Sequence, residues 1–475
     1  MSESDALWLG IDVGTQGVRV VMVDGSGTVL GLADRGFAPT AGPEHHEQHP
    51  DTWWYAVVEC VRYAMGSVLP SSIQALSVTS TSGTLIVCDA GLRPLRPALM
   101  WNDKRGSTEA ALAGKELGNP AIRPGFSLAK AMWVLNHEPK MFNRARWLLS
   151  AGDWLLARIV GGDPMTDPTN ALKLGADLDT LSWPTSLPDL GIDAKKLPQI
   201  RDAGTAIGAV GAEFAAQTGL SQNTAVILGV TDATAAQIAA GAVHLDDWVT
   251  TIGTGLSVKH VSTSRPRDPS GVLYAHRHWD GGWIVSGTSH CGGDSIAARF
   301  RDDDWGELSA SWRSASTVMV LPLTTIGEYF PFRAPHAVGF EVGDPRSRGD
   351  LFRGYLEGIA YVERLAVDRM GGVESGADSP QATMGGGARN DIWMTLRAST
   401  LGRTTTRTAV ATSSFGAAVV ASAPSLGGIS AAAKTMVRID GAFDPDPTLT
   451  RRADQGYGRF CEELMARGYL TEVPA

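Results

Sequence analysis

The chain has 475 residues, enough for two or three domains, and 43% hydrophobic with 19% charged residues is a globular composition with ample core. A net charge of −9 argues against a polyanion such as nucleic acid as the main partner, while leaving room for a local basic pocket that holds one phosphate compound. No run of about 18 apolar residues marks a membrane span, and MSESDALWLG has neither the basic nor the apolar region of a signal peptide, so no membrane partner is expected. Cys60, Cys88, Cys291 and Cys461 form no C-x-x-C pair and no disulfide framework, which predicts a reducing, cytoplasmic setting.

The first predicted element is a buried strand from Leu7 to Val13, and Val18 to Val23 is the second. Between them Gly14-Thr15-Gln16-Gly17 makes a hairpin turn. A dinucleotide fold requires a helix after its glycines and a G-x-G-x-x-G spacing, and neither is present. What remains is a hairpin tip whose backbone N–H groups can surround an anion, with the Thr15 hydroxyl as a further donor. Asp12 would repel a phosphate directly but can hold a divalent cation that bridges to one. An ordinary hairpin with a turn-favouring acid fits this stretch equally well.

His45, His46 and His49 follow in PEHHEQHP, without the spacing that puts two ligands on one helical face; a polar loop before a helix is the plainer reading. Strand signals return over 73–89, and helices are predicted at 52–67, 106–117, 127–137 and 150–159. Two tracts here suit a polyol, which needs paired donors and acceptors beside an apolar wall: STSGTLIVCD, with Ser82, and LMWNDKRG, with Trp101, Asn102 and Asp103. Residues 161–200 are proline-rich and read as loop. A strand at 224–230 then leads into a helix at 233–242, with Asp232 at the switch. Asp232 reads either as a helix cap or as a general base that takes a proton from a hydroxyl.

WVTTIGTGLSV at 248–258 repeats the strand–turn–strand pattern, and Gly253-Thr254 lies about half a chain length after Gly14-Thr15. One such hairpin in each half predicts two similar lobes, 1–242 and 243–475, that grip one polyphosphate across a cleft. Helices follow at 291–301, 348–370, 390–401 and 414–423, and AAAKTMVRI at 431–439 is an alanine-rich helix or loop. In TMGGGARNDIW the glycines, Gly386 among them, allow close approach to a flat ligand before a helix N-terminus. Asn390 there can read an adenine edge or cap the helix. Strands and helices mix throughout, so the class is α/β.

These residues resemble the FGGY carbohydrate kinases, a branch of the actin-like ATPases. The resemblance runs in order through GIDVGTQGVR, EQHPDTWW, WNDKR, GFSLAKAMWVLNH, TDATAAQIAAGA, TTIGTG, YLEGIA and MGGGARN. GFSLAKAMWVLNH is the most specific, with its spaced Lys130 and Trp133, and it departs from the family at Ala131. The resemblance implies two ribonuclease-H-like lobes around a deep cleft, with ATP and Mg²⁺ as cofactors and a sugar as acceptor; a homodimer is compatible with it. It implies Asp232 as the base, Asp12 and Thr15, with Gln16 beside them, as the metal and phosphate site, and Gly253 and Thr254 as the second phosphate loop. Gly386, Arg389 and Asn390 fall where the family contacts adenosine. Xylulose kinases usually carry Met-His where this chain has Ser82-Gly83, and glycerol kinases carry Arg-Glu; TSGT and NALKLGAD look more like D-ribulose kinases. The expected activity is phosphorylation of a terminal hydroxyl of a ketopentose, D-ribulose first, with xylulose or another polyol second. An ATP-switched module without catalysis is the rival reading.

Overall fold

The computed structural model describes residues 6–37, 46–266, 268, 272–310, 315–371 and 379–472. His45 lies outside the described residues. Two mixed sheets form the framework. The first contains β1 (Leu7–Val13), β2 (Gly17–Asp24), β3 (Val29–Gly36), β4 (Ile73–Ser80), β5 (Ala206–Ala209) and β6 (Ala225–Ile227), in the order β5-β6-β4-β1-β2-β3. The second contains β7 (Trp248–Ile252), β8 (Leu256–Ser262), β9 (Tyr274–Arg277), β10 (Trp283–Ser289), β11 (Gln381–Gly385), β12 (Thr405–Thr408) and β13 (Ile439–Phe443), in the order β9-β10-β8-β7-β11-β12-β13.

The two sheets repeat one design. In the first, β1 runs antiparallel to β2, β2 to β3, and β1, β4 and β6 run parallel. In the second, β7 runs antiparallel to β8, β8 to β10, and β7, β11 and β12 run parallel. This is the duplicated, ribonuclease-H-like α/β architecture expected from the paired glycine hairpins.

Period-two alternation explains why both faces of β1 are buried. Leu7, Leu9 and Ile11 face a core shared with Trp53, Val57 and Leu155 of the helices Pro50–Met65 and Ala151–Val160. Trp8 faces a second core made with Ala235, Phe415 and Val419. That second core includes the helix Ser413–Leu426, which lies far along the chain yet packs on the first sheet. Gly10 makes this possible, since a Cβ there would stand 2.0 Å from the Ser414 carbonyl oxygen.

In the second lobe the helices Arg348–Arg369, Asp391–Leu401 and Pro447–Ala466 bury one face of the sheet. A fully buried ion pair, Arg397–Glu363, fastens two of these helices together, and Thr250 and Thr383 of the central strands satisfy its remaining polar atoms. The helix Pro447–Ala466 and strands β9, β10, β12 and β13 complete a lobe of which the sequence marks only parts.

Candidate active site

The carboxyl ends of the parallel strands gather the chemistry, as is usual for α/β sheets. Asp12 on β1 is in register with Thr79 on β4, Val13 pairs with Ser80, and Ser80 bridges to Thr231. Asp12, Ser82 and Asp232 therefore share one edge of the first sheet. Asp232 is the first residue of the helix Asp232–Ala239, and the capping position belongs to Thr231. The Asp232 carboxylate accepts from the Ala233 N–H at 2.7 Å. Burial pushes its pKa up to about 6, against the pull of that N–H and of Lys259 and Lys173. Burial, and then the charge of Asp232, push Asp12 up to about 7.

A relay of hydrogen bonds fixes the chain just before Asp232. The Thr231 N–H donates to Thr169 Oγ1 at 3.0 Å, and Thr169 donates to the buried Asp167 carboxylate. Asn170 Nδ2 donates to the same carboxylate at 2.6 Å, while Asn170 Oδ1 is buried without a partner.

The first turn is closed by Gly14 N–H donating to Gly17 O at 2.9 Å. Its Thr15 is held from two directions: Gln48 Nε2 donates to the Thr15 carbonyl and Trp101 Nε1 to the Thr15 hydroxyl, each at 2.8 Å. Gln16 is exposed. Close to this turn, Ser82 Oγ and Asn102 Oδ1 are buried with no protein partner, which is costly unless a ligand or water supplies one. Asp103, by contrast, is committed: Arg105 Nη2 donates to its carboxylate at 2.8 Å, and Arg105 also pairs with Glu47. Lys130 is fully buried and donates to the carbonyls of Gly83 and Gly125, both at 2.8 Å. It joins the Ser82 loop to the segment before its own helix, Ser127–His137. Gly83 adopts a φ of +87°, which a side chain would strain.

The equivalent edge of the second sheet carries the other turn. Gly253 N–H donates to Gly255 O at 3.0 Å, and Gly293 and Asp294 N–H groups hold the carbonyls of Gly253 and Thr254. Gly253 and Thr254 themselves are exposed. Ile252 lies in register with Gly385, so the Gly253 turn and the Gly385–Asn390 loop sit side by side. Space around Gly386 is open, and Arg389 is exposed. Asn390 caps the helix Asp391–Leu401: its Oδ1 accepts from Trp393 N at 3.0 Å, and its Nδ2 donates to Ser309 Oγ at 2.7 Å.

Three residues in this region escaped the sequence reading. Lys259 of β8 is buried and donates from Nζ to the Ala233 carbonyl at 2.6 Å; burial lowers its pKa to about 8, opposed by Asp232. Lys173 lies with Nζ 4.2 Å from the centre of the Phe126 ring and is lowered to about 8, by burial and then Arg123. His276 of β9 is buried, with its pKa lowered well below the ordinary value by burial and by both lysines, so it is neutral. A lysine in an alternating strand reads as solvent-facing, and only the opposite lobe makes Lys259 an interior group. Among the described residues no cluster of three or more His, Cys, Asp or Glu side chains is arranged for a metal ion. Asp12, with Oδ1 buried and unpartnered, is the carboxylate that fits a cation shared with phosphate oxygens.

Residues 7–239 match the N-terminal domain of the FGGY family of carbohydrate kinases, and residues 248–424 match its C-terminal domain. A xylulose kinase of Escherichia coli (strain K12) is 26% identical over 429 residues, covering 84% of this chain and 85% of its own. Among solved structures, a xyloylose kinase from Brucella ovis superposes with a TM-score of 0.87 at 22% identity, over 97% of this chain and 99% of its own. A gluconate kinase from Lactobacillus acidophilus gives 0.85 at 21% identity, over 97% and 98%. At these identities the two structures speak for the shared fold.

Proposed function

Given that this chain belongs to the FGGY family of carbohydrate kinases, we propose that it transfers the γ-phosphoryl group of ATP to a terminal hydroxyl of a ketopentose, D-ribulose first. That it is an ATP-dependent sugar kinase follows from the family; the ketopentose and the residue roles are our reading. The observation that carries it is the grouping of a raised-pKa carboxylate, Asp232, with unpartnered buried acceptors and donors, Ser82 Oγ and Asn102 Oδ1, at one sheet edge. A polyol satisfies such atoms, and a small Ser82 leaves it room.

In the mechanism Asp232 accepts the proton of the attacking hydroxyl while its oxygen displaces ADP from the γ-phosphorus in line. Trp101 and Asn102, on the loop that reaches Thr15, flank the sugar. Asp103 acts behind them by anchoring Arg105. The N–H groups of the Gly14–Gly17 and Gly253–Gly255 turns, with the Thr15 and Thr254 hydroxyls, stabilise phosphoryl oxygens. Mg²⁺, when bound through Asp12, would offset the negative charge of the phosphates. The open face at Gly386, with Arg389 and the remaining N–H of Asn390, receives the adenosine. Approach of the lobes excludes water as a competing acceptor. The protein acts in the cytoplasm on small molecules; among the described residues no single helix is long and apolar enough to cross a membrane.

An ADP-release assay with D-ribulose, D-xylulose, pentitols and glycerol tests the specificity. The highest kcat/KM is expected with D-ribulose. A higher value with D-xylulose would transfer the assignment to that sugar; the E. coli relative is named a xylulose kinase.

A further inference from the structure

A lysine of the second lobe donates to the residue that follows Asp232. Asp232 has two neighbours in the chain, and each is anchored by a different lobe. On one side the Thr231 N–H is held by Thr169, which is fixed by Asp167; all three belong to the first lobe. On the other side Ala233 does two things at once. Its N–H donates to Asp232 Oδ1 at 2.7 Å, and its carbonyl accepts from Lys259 Nζ at 2.6 Å. Lys259 comes from β8, immediately after the Gly253–Gly255 turn.

Burying a lysine is unfavourable unless it is paired. Lys259 is 7% exposed; Asp232 is the charge that acts on it, and the buried His276 that it faces is neutral. A hydrophobic residue would serve a plain contact between lobes better. The ammonium and its reach are spent on one carbonyl, next to the one carboxylate of the helix start. We propose that Lys259 is a positioning residue for Asp232, by which the nucleotide lobe sets the orientation of the base when the two lobes come together. This rests on Asp232 being the base. It assigns to β8 a second task beside carrying the phosphate turn: the strand that brings the nucleotide also aligns the acceptor side. Small errors in the placement of a catalytic group cost large factors in rate, whereas ground-state binding of ATP and sugar is made elsewhere.

Full-length Lys259→Met and Lys259→Gln are compared with the unaltered chain and with Asp232→Asn, in the ADP-release assay with the best sugar of the panel. The expected result for Lys259→Met is a fall in kcat of about tenfold or more, with KM for ATP and for sugar each within about threefold. Lys259→Gln, which keeps an N–H donor, recovers part of kcat. Unchanged kcat in Lys259→Met overturns the proposal. So does a loss confined to KM for ATP, which would make Lys259 a phosphate contact. Should Lys259→Met fail to fold, the same split is read from Lys259→Gln against the unaltered chain. Normal turnover of Asp232→Asn would instead remove the base assignment itself, whatever the lysine variants do.

Discussion

The indole N–H of Trp101 donates to the hydroxyl of Thr15 at 2.8 Å, so the loop we propose to flank the sugar is tied to the turn we propose to face the phosphates. Trp101 is 47% exposed, too open for packing alone to fix it. Trp101→Phe keeps the ring and deletes the bond. A neutral hydrogen bond is worth about 0.5–1.5 kcal/mol, so kcat/KM should fall about two- to tenfold. The loss should appear in the KM values of both sugar and ATP. An effect on sugar alone would mean that the bond does not couple the two subsites.

Asp232→Asn should lower kcat at least about 10²-fold, the low end for general acid–base catalysis, with ATP affinity kept when measured by titration calorimetry. In the unaltered chain the base must be ionised. Its pKa is raised to about 6, so kcat/KM should fall as pH drops through that value, rather than near 4 as for an ordinary carboxylate. An acid limb centred near pH 4 would show that Asp232 works in a more hydrated setting.

Asp12 separates stability from activity. Its pKa is raised from 3.8 to about 7 in the folded chain, chiefly by burial. The folded state thus binds the proton more tightly than the unfolded one, and its stability declines as pH rises from about 4 to about 7. At pH 8 without ligands, Asp12→Asn should therefore melt higher than the unaltered chain, by the order of 1–2 °C. The same variant should lose most of its turnover and its response to added Mg²⁺. A lower Tm at pH 8 would contradict the burial argument.

Gly10→Ala should destabilise the first lobe severely. Its Cβ would meet the Ser414 oxygen at 2.0 Å and the Ala418 nitrogen at 2.3 Å, both backbone atoms that cannot turn aside. Overpacking of this kind costs about 1–3 kcal/mol or more, and urea unfolding should show it as a lower midpoint with an unchanged slope. An unaltered midpoint would mean that the helix Ser413–Leu426 can slide on the sheet.

The parts of this molecule that can be read from its sequence are those that repeat or that are local. The two glycine–threonine hairpins announced the duplicated sheets because a turn between strands is a short-range pattern. The helix at 127–137 was legible from its spacing and is Ser127–His137 in the structure. The helix Pro447–Ala466 went unread, although Asp446 before Pro447 is a start signal and Ala453, Tyr457, Phe460 and Leu464 recur at helical steps. The segment around Asp232 suits both a cap and a base, and only the resemblance implies the base; the structure gives the cap position to Thr231. Asn390 stayed ambiguous for the same reason, and it does serve as a cap. Asp103 looked like a sugar ligand because nothing in the sequence says that Arg105, two residues on, folds back onto it. Lys259 and His276 were invisible because their burial is a property of the opposite lobe.

The helix Ser413–Leu426 closes over Trp8, Val21 and Ala75, residues that precede it by more than three hundred positions. The polypeptide is therefore interleaved. A fragment cut after Ala242 would leave that oily surface bare and should aggregate. Any recombination of halves between relatives has to move 413–436 together with the N-terminal partner. Supplying that helical pair in trans should restore solubility to the fragment, and through it a lesion near the C-terminus can reach a carboxylate set at residue 12.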